Sequence, residues 1–154
     1  MRSTESAEAR TEYLAFHLGN EQYAIDITRV REIRELERVT RLVEAPAHVQ
    51  GVINLRGEIV VVTDLRTRFG MPPCEASGRK VMIVIDASAM VGMVVDGVTD
   101  VVSLGDSQVA SPPSLEGAVD ERFVRGIASL PQGMLIVLDV IALLASSAGL
   151  ENVQ

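Results

Sequence analysis

Aromatic residues make up only 3 % of the 154-residue chain, and tryptophan is absent. Its core must therefore come from aliphatic side chains, and Val and Ile dominate the apolar runs. Branched side chains suit a pleated, half-buried surface, so this mix points to β structure. Cysteine is almost absent as well. Cys74 stands alone, which excludes a disulfide within the chain and a cysteine-based zinc site. Basic residues are outnumbered, 14 Lys and Arg against 21 Asp and Glu, for a net charge of −7. Nucleic-acid binding demands clustered cations, and anionic lipid repels such a surface. Nor does any apolar run approach the roughly 20 residues that cross a bilayer; Asp139 interrupts the longest. Met1 to Glu12 are polar, without the apolar centre of a signal peptide, which points to a cytoplasmic protein. The length suits one cooperative core or two small lobes packed together, and falls short of two ordinary independent domains.

Catalytic chemistry is also missing. The imidazoles are His17, expected to face solvent from a strand, and His48, in the loop Ala45-Pro46-Ala47-His48. No nucleophile motif accompanies either. Cys74 follows Met71-Pro72-Pro73 in an expected linker and reads as an exposed or half-packed thiol. Gly51 and Gly57 are not followed by the Lys-Ser or Lys-Thr of a phosphate loop. Asp96, Asp100 and Asp106 do not match the EF-hand spacing and read as solvated carboxylates. No metal or cofactor is expected. A small enzyme working through a carboxylate and Arg56 remains a rival, but it needs a pocket of convergent perturbed groups.

What the chain does contain is a repeat. Tyr13–Leu18, a turn, and Tyr23–Ile27 read as a hairpin, and Lys80–Ile85 with Val91–Val95 read the same way 68 residues later. Gly51 to Asp64 can be laid over Gly126 to Asp139 at an offset of 75, with glycine first, leucine fifth and aspartate last. The difference of seven fits a longer loop around Ser111-Pro112-Pro113-Ser114. Chance likeness between two Val-rich segments is the competing account. Taken as genuine, the repeat makes two similar small barrels in tandem, all-β, a form that removes exposed sheet edges. The expected division is a tail over 1–11, a first lobe over 12–77, a second lobe with a C-terminal helix over 78–149, and a tail over 150–154. Asp64 and Asp139 are placed to cap short helices, the second ending by Gly149, with a catalytic carboxylate pair as the alternative.

Val30, Ile33, Leu36, Val39 and Leu42 recur every three residues, which looks helical. The equivalent stretch from Val98 to Gly105 is β-branched and ends in glycine, so Val30–Ile33 is assigned as a strand.

The sharpest motif is Asn54-Leu55-Arg56-Gly57, whose repeat partner is Ser129-Leu130-Pro131-Gln132. Leucine is shared, as a core position should be, while Arg56 gives way to proline. That favours recognition over folding for Arg56, with a local salt bridge as the alternative. With Val30-Arg31-Glu32-Ile33, Gly51-Val52-Ile53-Asn54-Leu55-Arg56-Gly57, Asp64-Leu65, Val94-Val95-Asp96 and Leu138-Asp139, the chain resembles the CheW-like family of chemotaxis coupling proteins from about Tyr13 to Leu144. The resemblance implies two five-stranded SH3-like barrels with a shared hydrophobic junction and short helices, and a scaffold without enzymatic activity. It implies two partners, the regulatory domain of the histidine kinase CheA and the cytoplasmic tip of a methyl-accepting chemoreceptor, in arrays at the membrane. An equivalent coupler in a pathway controlling pili or other motility is the alternative. It further implies that Glu32 pairs with Arg56 and that partner binding draws on Val30, Glu32, Gly51, Asn54, Arg56 and Gly57.

Overall fold

The computed structural model describes residues 8–72, 78–85, 90–111 and 121–147. Cys74, the turn after Ile85, the Pro112-Pro113 loop, Gly149 and the expected tail at 150–154 lie outside them. The strands are β1 (Arg10–Leu18), β2 (Glu21–Asp26), β3 (Val30–Glu35), β4 (Val49–Leu55), β5 (Glu58–Asp64), β6 (Lys80–Ile85), β7 (Met90–Val95), β8 (Gly97–Gly105), β9 (Val124–Leu130) and β10 (Gly133–Leu138). A short helix, α1 (Leu65–Arg68), follows β5, and α2 (Val140–Ser147) follows β10. The protein is all-β with two five-stranded sheets, in the orders β8-β1-β2-β10-β9 and β3-β6-β7-β5-β4.

The two sheets obey the repeat to the residue. Tyr23 pairs with Ile136 in the first, and Val91 with Val61 in the second, which are the same positions after offsets of 68 and 75. The bulges recur too. The register skips Thr99 opposite Ala15 and Phe16, and skips the equivalent Arg31 in β3. A second pair of bulges falls at Gln50 and Arg125. Bulges bend and coil a strand, which a small barrel needs in order to close.

The tandem division expected from the sequence needs correcting, because the repeats exchange strands. The first hairpin, β1–β2, joins β8, β9 and β10 from the second half, while β6–β7 joins β3, β4 and β5 from the first. A boundary at 77/78 therefore does not separate the barrels. Each hairpin leads directly into the other barrel, and neither half of the chain holds a complete sheet. The first strand also begins inside the expected tail, since Arg10 pairs with Gly105 and its Nε donates to Ser103 Oγ at 3.1 Å.

Strand alternation sorts the apolar residues into three cores. Tyr13, Ala15, Ala24, Leu104, Ala128, Leu135 and Val137 cluster within the first barrel. Leu55, Val60, Val62, Val81, Ile83 and Val94 cluster within the second. Each cluster draws on one face across the strands of its sheet, as the curled SH3-like arrangement requires of a barrel interior. Their neighbours in sequence face the other way and form the junction: Leu14, Phe16, Leu18, Tyr23, Ile25, Met82, Val84, Val91 and Met93, with Leu65, Leu143 and Leu144 from the helices. The scarce aromatics concentrate here. Phe16, Tyr23, Phe69 and Phe123 form a chain of ring contacts, with centroids 5.8, 5.7 and 6.2 Å apart. Large rings bury the most area per residue, so the barrel junction is the part of the molecule they stabilise most.

Val30–Glu35 is a strand despite its helical spacing. Pairing with β6 across the chain outweighs the local pattern, and the Leu36 amide continues the link by donating to the Arg79 carbonyl at 3.0 Å. Both aspartates cap helices: Asp64 Oδ1 accepts from the Arg66 amide at 2.9 Å, and Asp139 Oδ1 from the Ala142 amide at 3.1 Å.

Candidate interaction site

The turn between β4 and β5 explains each residue of its motif. Leu55 pairs with Glu58, leaving Arg56 and Gly57 as a two-residue loop. Their φ values are +48° and +92°; positive φ at both central positions matches the twist of a hairpin. Gly57 adopts this without cost, whereas a side chain at Arg56 does so against its preference. Asn54 secures the loop by accepting the Gly57 amide on Oδ1 at 3.0 Å. Leu55, 3 % exposed, points into the second barrel. Arg56 is left pointing outward with its side chain 60 % exposed, and its guanidinium donates to the Glu32 carboxylate on β3.

Glu32 is aimed at the turn by the bulge at Arg31. The hydrogen bond from Arg56 holds its carboxyl below the ordinary glutamate value; burial opposes this, and the charges of Arg56, Arg34 and Arg31 reinforce the lowering. Arg34 lies 3.8 Å away on the same strand. The pair is thus a fixed, oriented dipole of side chains on a rigid turn, and a planar guanidinium has donors left to offer a partner.

Of the residues expected at the site, Glu32, Asn54, Arg56 and Gly57 come together at this turn. Val30 packs against the junction core. Gly51 is buried, and a Cβ there would stand 2.1 Å from the Thr40 carbonyl oxygen. Thr40 and Val52 bridge the strap to β4 through backbone hydrogen bonds of 2.9 and 2.8 Å. Gly126 meets Ala110 in the same way in the first barrel, with a Cβ 2.6 Å from the Ala110 carbonyl oxygen. Glycine at both equivalent places admits the strap and presents no side chain.

Sequence reasoning missed a buried ionic cluster where α1 meets the strands. Arg79 forks onto Asp64 through hydrogen bonds of 3.1 and 3.0 Å and lies 3.6 Å from Asp96. Arg66 Nε and Nη2 donate to Asp96 at 2.8 to 3.1 Å, and Arg66 Nη1 donates to the Pro72 carbonyl at 2.7 Å. The Gly19 amide, from the β1–β2 turn of the other barrel, donates to Asp96 Oδ2 at 2.7 Å. Asp96, its side chain 11 % exposed, is therefore a half-buried anchor between barrels and not the solvated carboxylate the sequence suggested. Burial opposes its ionisation, but the hydrogen bonds from Arg66 and Gly19 and the charges of Arg66 and Arg79 hold its carboxyl below the ordinary value. The only signals in the sequence were the Asp64-Leu65 and Val94-Val95-Asp96 motifs.

His17 is half-buried and lies against Gly97; a Cβ on Gly97 would lie 2.5 Å from its Nε2. His48 works through its backbone, its carbonyl accepting from the Asp64 amide at 2.9 Å and from Thr63 Oγ1 at 3.0 Å. Burial and the nearby Arg68 lower its pKa. Among the described residues no group of three or more His, Cys, Asp or Glu is placed to hold a metal. No helix there is long and apolar enough to cross a membrane.

Two interlocked barrels with an exposed ion pair on a rigid turn define a protein-interaction module. Residues 12–148 match the CheW-like domain, and the chain belongs to that family. It is 41 % identical over 136 residues to the chemotaxis protein CheW of Klebsiella aerogenes, spanning 88 % of this chain and 82 % of that one. It is 33 % identical over 137 residues to the probable chemotaxis protein CheW of Rhizobium etli, spanning 88 % of each. The crystal structure of the scaffolding protein TtCheW from Thermoanaerobacter tengcongensis superposes with a TM-score of 0.79 at 32 % identity over 86 % of both chains. The family makes this chain a chemotaxis scaffold and not an enzyme, which sets the small-enzyme reading aside.

Proposed function

We propose that the chain couples the cytoplasmic tip of a methyl-accepting chemoreceptor to the regulatory domain of the histidine kinase CheA, working in the cytoplasm within receptor arrays and without a cofactor. One observation carries this reading. The second barrel presents Arg56, on backbone that disfavours a side chain, beside Glu32, while the first barrel closes the equivalent hairpin with Pro131-Gln132, neither of them at positive φ. The arginine is dispensable for building a barrel, so its exposed, oriented guanidinium suits recognition, with Glu32, Asn54 and Gly57 shaping the contact and Val30 and Gly51 supporting its strands.

The mechanism is positional. A body that binds receptor on one surface and kinase on another turns their encounter into an intramolecular one and raises their effective concentration. Rigidity serves this, because flexible surfaces lose entropy on binding. The exchanged hairpins and the Asp96 anchor supply that rigidity. Reconstitution of receptor-tip fragment, kinase and this chain tests the proposal. Kinase is expected to co-sediment with receptor only when the chain is present; recovery independent of the chain contradicts coupling.

A further inference from the structure

The repeat supplies a comparison that the proposed function does not use. In the second barrel the opening beside the β4–β5 turn is covered from within. Arg56 crosses to Glu32, and Arg31 Nη1 approaches Met90 Sδ at 3.9 Å. Shifting each residue by its repeat offset gives the same opening in the first barrel. Glu32 becomes Asp100, Arg31 becomes Thr99, Met90 corresponds to Gln22, and Arg56-Gly57 becomes Pro131-Gln132. The ladders confirm the match, since Asp100 lies opposite Ala15 as Glu32 lies opposite Ile83. The carboxylate is kept here, but both covering cations are lost. A cavity of about 350 Å³ opens in their place, lined by Thr99, Asp100, Gln132 and Gln22 at its polar side and by Leu130 and Met134 at its apolar side.

Asp100 has no ion pair with any described residue. Its Oδ1 accepts the adjacent Val101 amide at 2.7 Å, leaving Oδ2 for another donor. Met134 is 57 % exposed at the rim. We propose that this cavity is a docking slot for an arginine held on a tight turn of a partner protein, the guanidinium meeting Asp100 as Arg56 meets Glu32 within this chain. Charge supports that occupant. A planar fork is the group best matched to a carboxylate, and apolar walls accept its aliphatic stem. Geometry supports it as well, because the equivalent carboxylate of the second barrel, Glu32, is met by just such a side chain from a tight turn. A second copy of this chain is a poorer occupant, since its Arg56 is already engaged by its own Glu32. The slot does not depend on the Arg56 face binding anything.

The test is an NMR titration of the full-length labelled chain with a backbone-cyclised hairpin peptide that presents Leu-Arg-Gly at its turn. Amide shifts are expected at Thr99, Asp100 and Gln132. Affinity should fall at least about tenfold with Asp100→Asn, and equally when citrulline replaces the peptide's arginine, as expected for removal of a buried charged anchor. Pro131→Arg with Gln132→Gly should fill the slot from within and abolish binding in a folded protein. Arg56→Ala should leave the titration unchanged, which keeps this outcome separate from that of the coupling proposal. Shifts confined to the Glu32 and Asn54 face, or equal affinity for the citrulline peptide, would overturn the slot. So would self-association in sedimentation that Asp100→Asn abolishes, since the occupant would then be a second copy.

Discussion

The two barrels are the same object built twice, with one corner finished differently. They share register, bulges, an inward leucine at the end of β4 and of β9 (Leu55 and Leu130), and a glycine lying against another segment's backbone (Gly51 against Thr40, Gly126 against Ala110). They differ at the hairpin turn, where Arg56-Gly57 faces Glu32 in one and Pro131-Gln132 leaves Asp100 uncovered in the other. What both barrels keep is what closing a barrel requires; what only one keeps is free to serve recognition. They differ a second time at the aspartate that ends each β5-type strand. Asp64 is buried and gripped by Arg79, whereas in the repeat that carries Asp139 the position of Arg79 is held by Thr11.

The largest effect expected follows from that second difference. Asp64→Ala leaves Arg79 buried without its forked partner and should cost about 3–5 kcal/mol. Asp139→Ala removes a helix cap alone and should cost about 1 kcal/mol. Urea denaturation of both variants measures the gap, and equal costs would show that the ionic cluster adds nothing to the cap. Next come the strapped glycines. Gly51→Ala drives a Cβ into the Thr40 carbonyl at 2.1 Å, and on a φ of +150°, so about 3 kcal/mol is expected. Gly126→Ala meets Val109 and Ala110 at 2.5 and 2.6 Å without the dihedral strain, and should cost less, about 1–2 kcal/mol. If Gly126→Ala proves the more damaging, the straps are not equivalent.

A smaller contrast concerns the shared leucines. Leu55→Ala empties a buried site and should cost about 2–4 kcal/mol. Leu130→Ala should cost less, because Leu130 is only partly buried beside the open slot. Acid supplies a further check. Asp96 has a depressed pKa in the fold, so its contribution is present above the unfolded carboxyl value of about 4 and is lost as pH falls through the folded value. Thermal stability should therefore drop below about pH 4, and Asp96→Asn should flatten that part of the profile. An unchanged acid limb in Asp96→Asn would assign the loss to other carboxylates.

Much of the fold was legible because a repeat compares a sequence with itself. Hairpins, turns and even the assignment of Val30–Ile33 as strand followed from matching positions, where a local period alone pointed to helix. The exchange of strands was not legible. Tyr23 can pair beside either β5 or β10 as far as alternation shows, since both carry the same apolar pattern, and the choice rests on packing across the junction. The site was partly legible: Asn54, Leu55, Arg56 and Gly57 announced a turn, and the missing arginine at Pro131 singled out Arg56 as dispensable for closing a barrel. The backbone of Thr40 lying against Gly51, which leaves no room for a side chain there, was not legible. Arg79 and Asp96 were invisible as partners, because nothing in a sequence brings together charges from separate strands or reports that they are buried.

The smallest effect on stability is paired with the largest expected effect on binding, and that contrast carries the central claim. Arg56→Ala removes an exposed ion pair, which solvent already screens, at a position where the other barrel closes its hairpin with proline. A melting curve beside a titration against the kinase regulatory domain and the receptor tip reads both properties in one protein. The account predicts a melting temperature within about 2 °C of the parent and association weakened at least about tenfold, with Arg56→Lys recovering only part of it because an ammonium lacks the planar fork. A protein that unfolds on losing Arg56, while its folded fraction binds both partners normally, would contradict it.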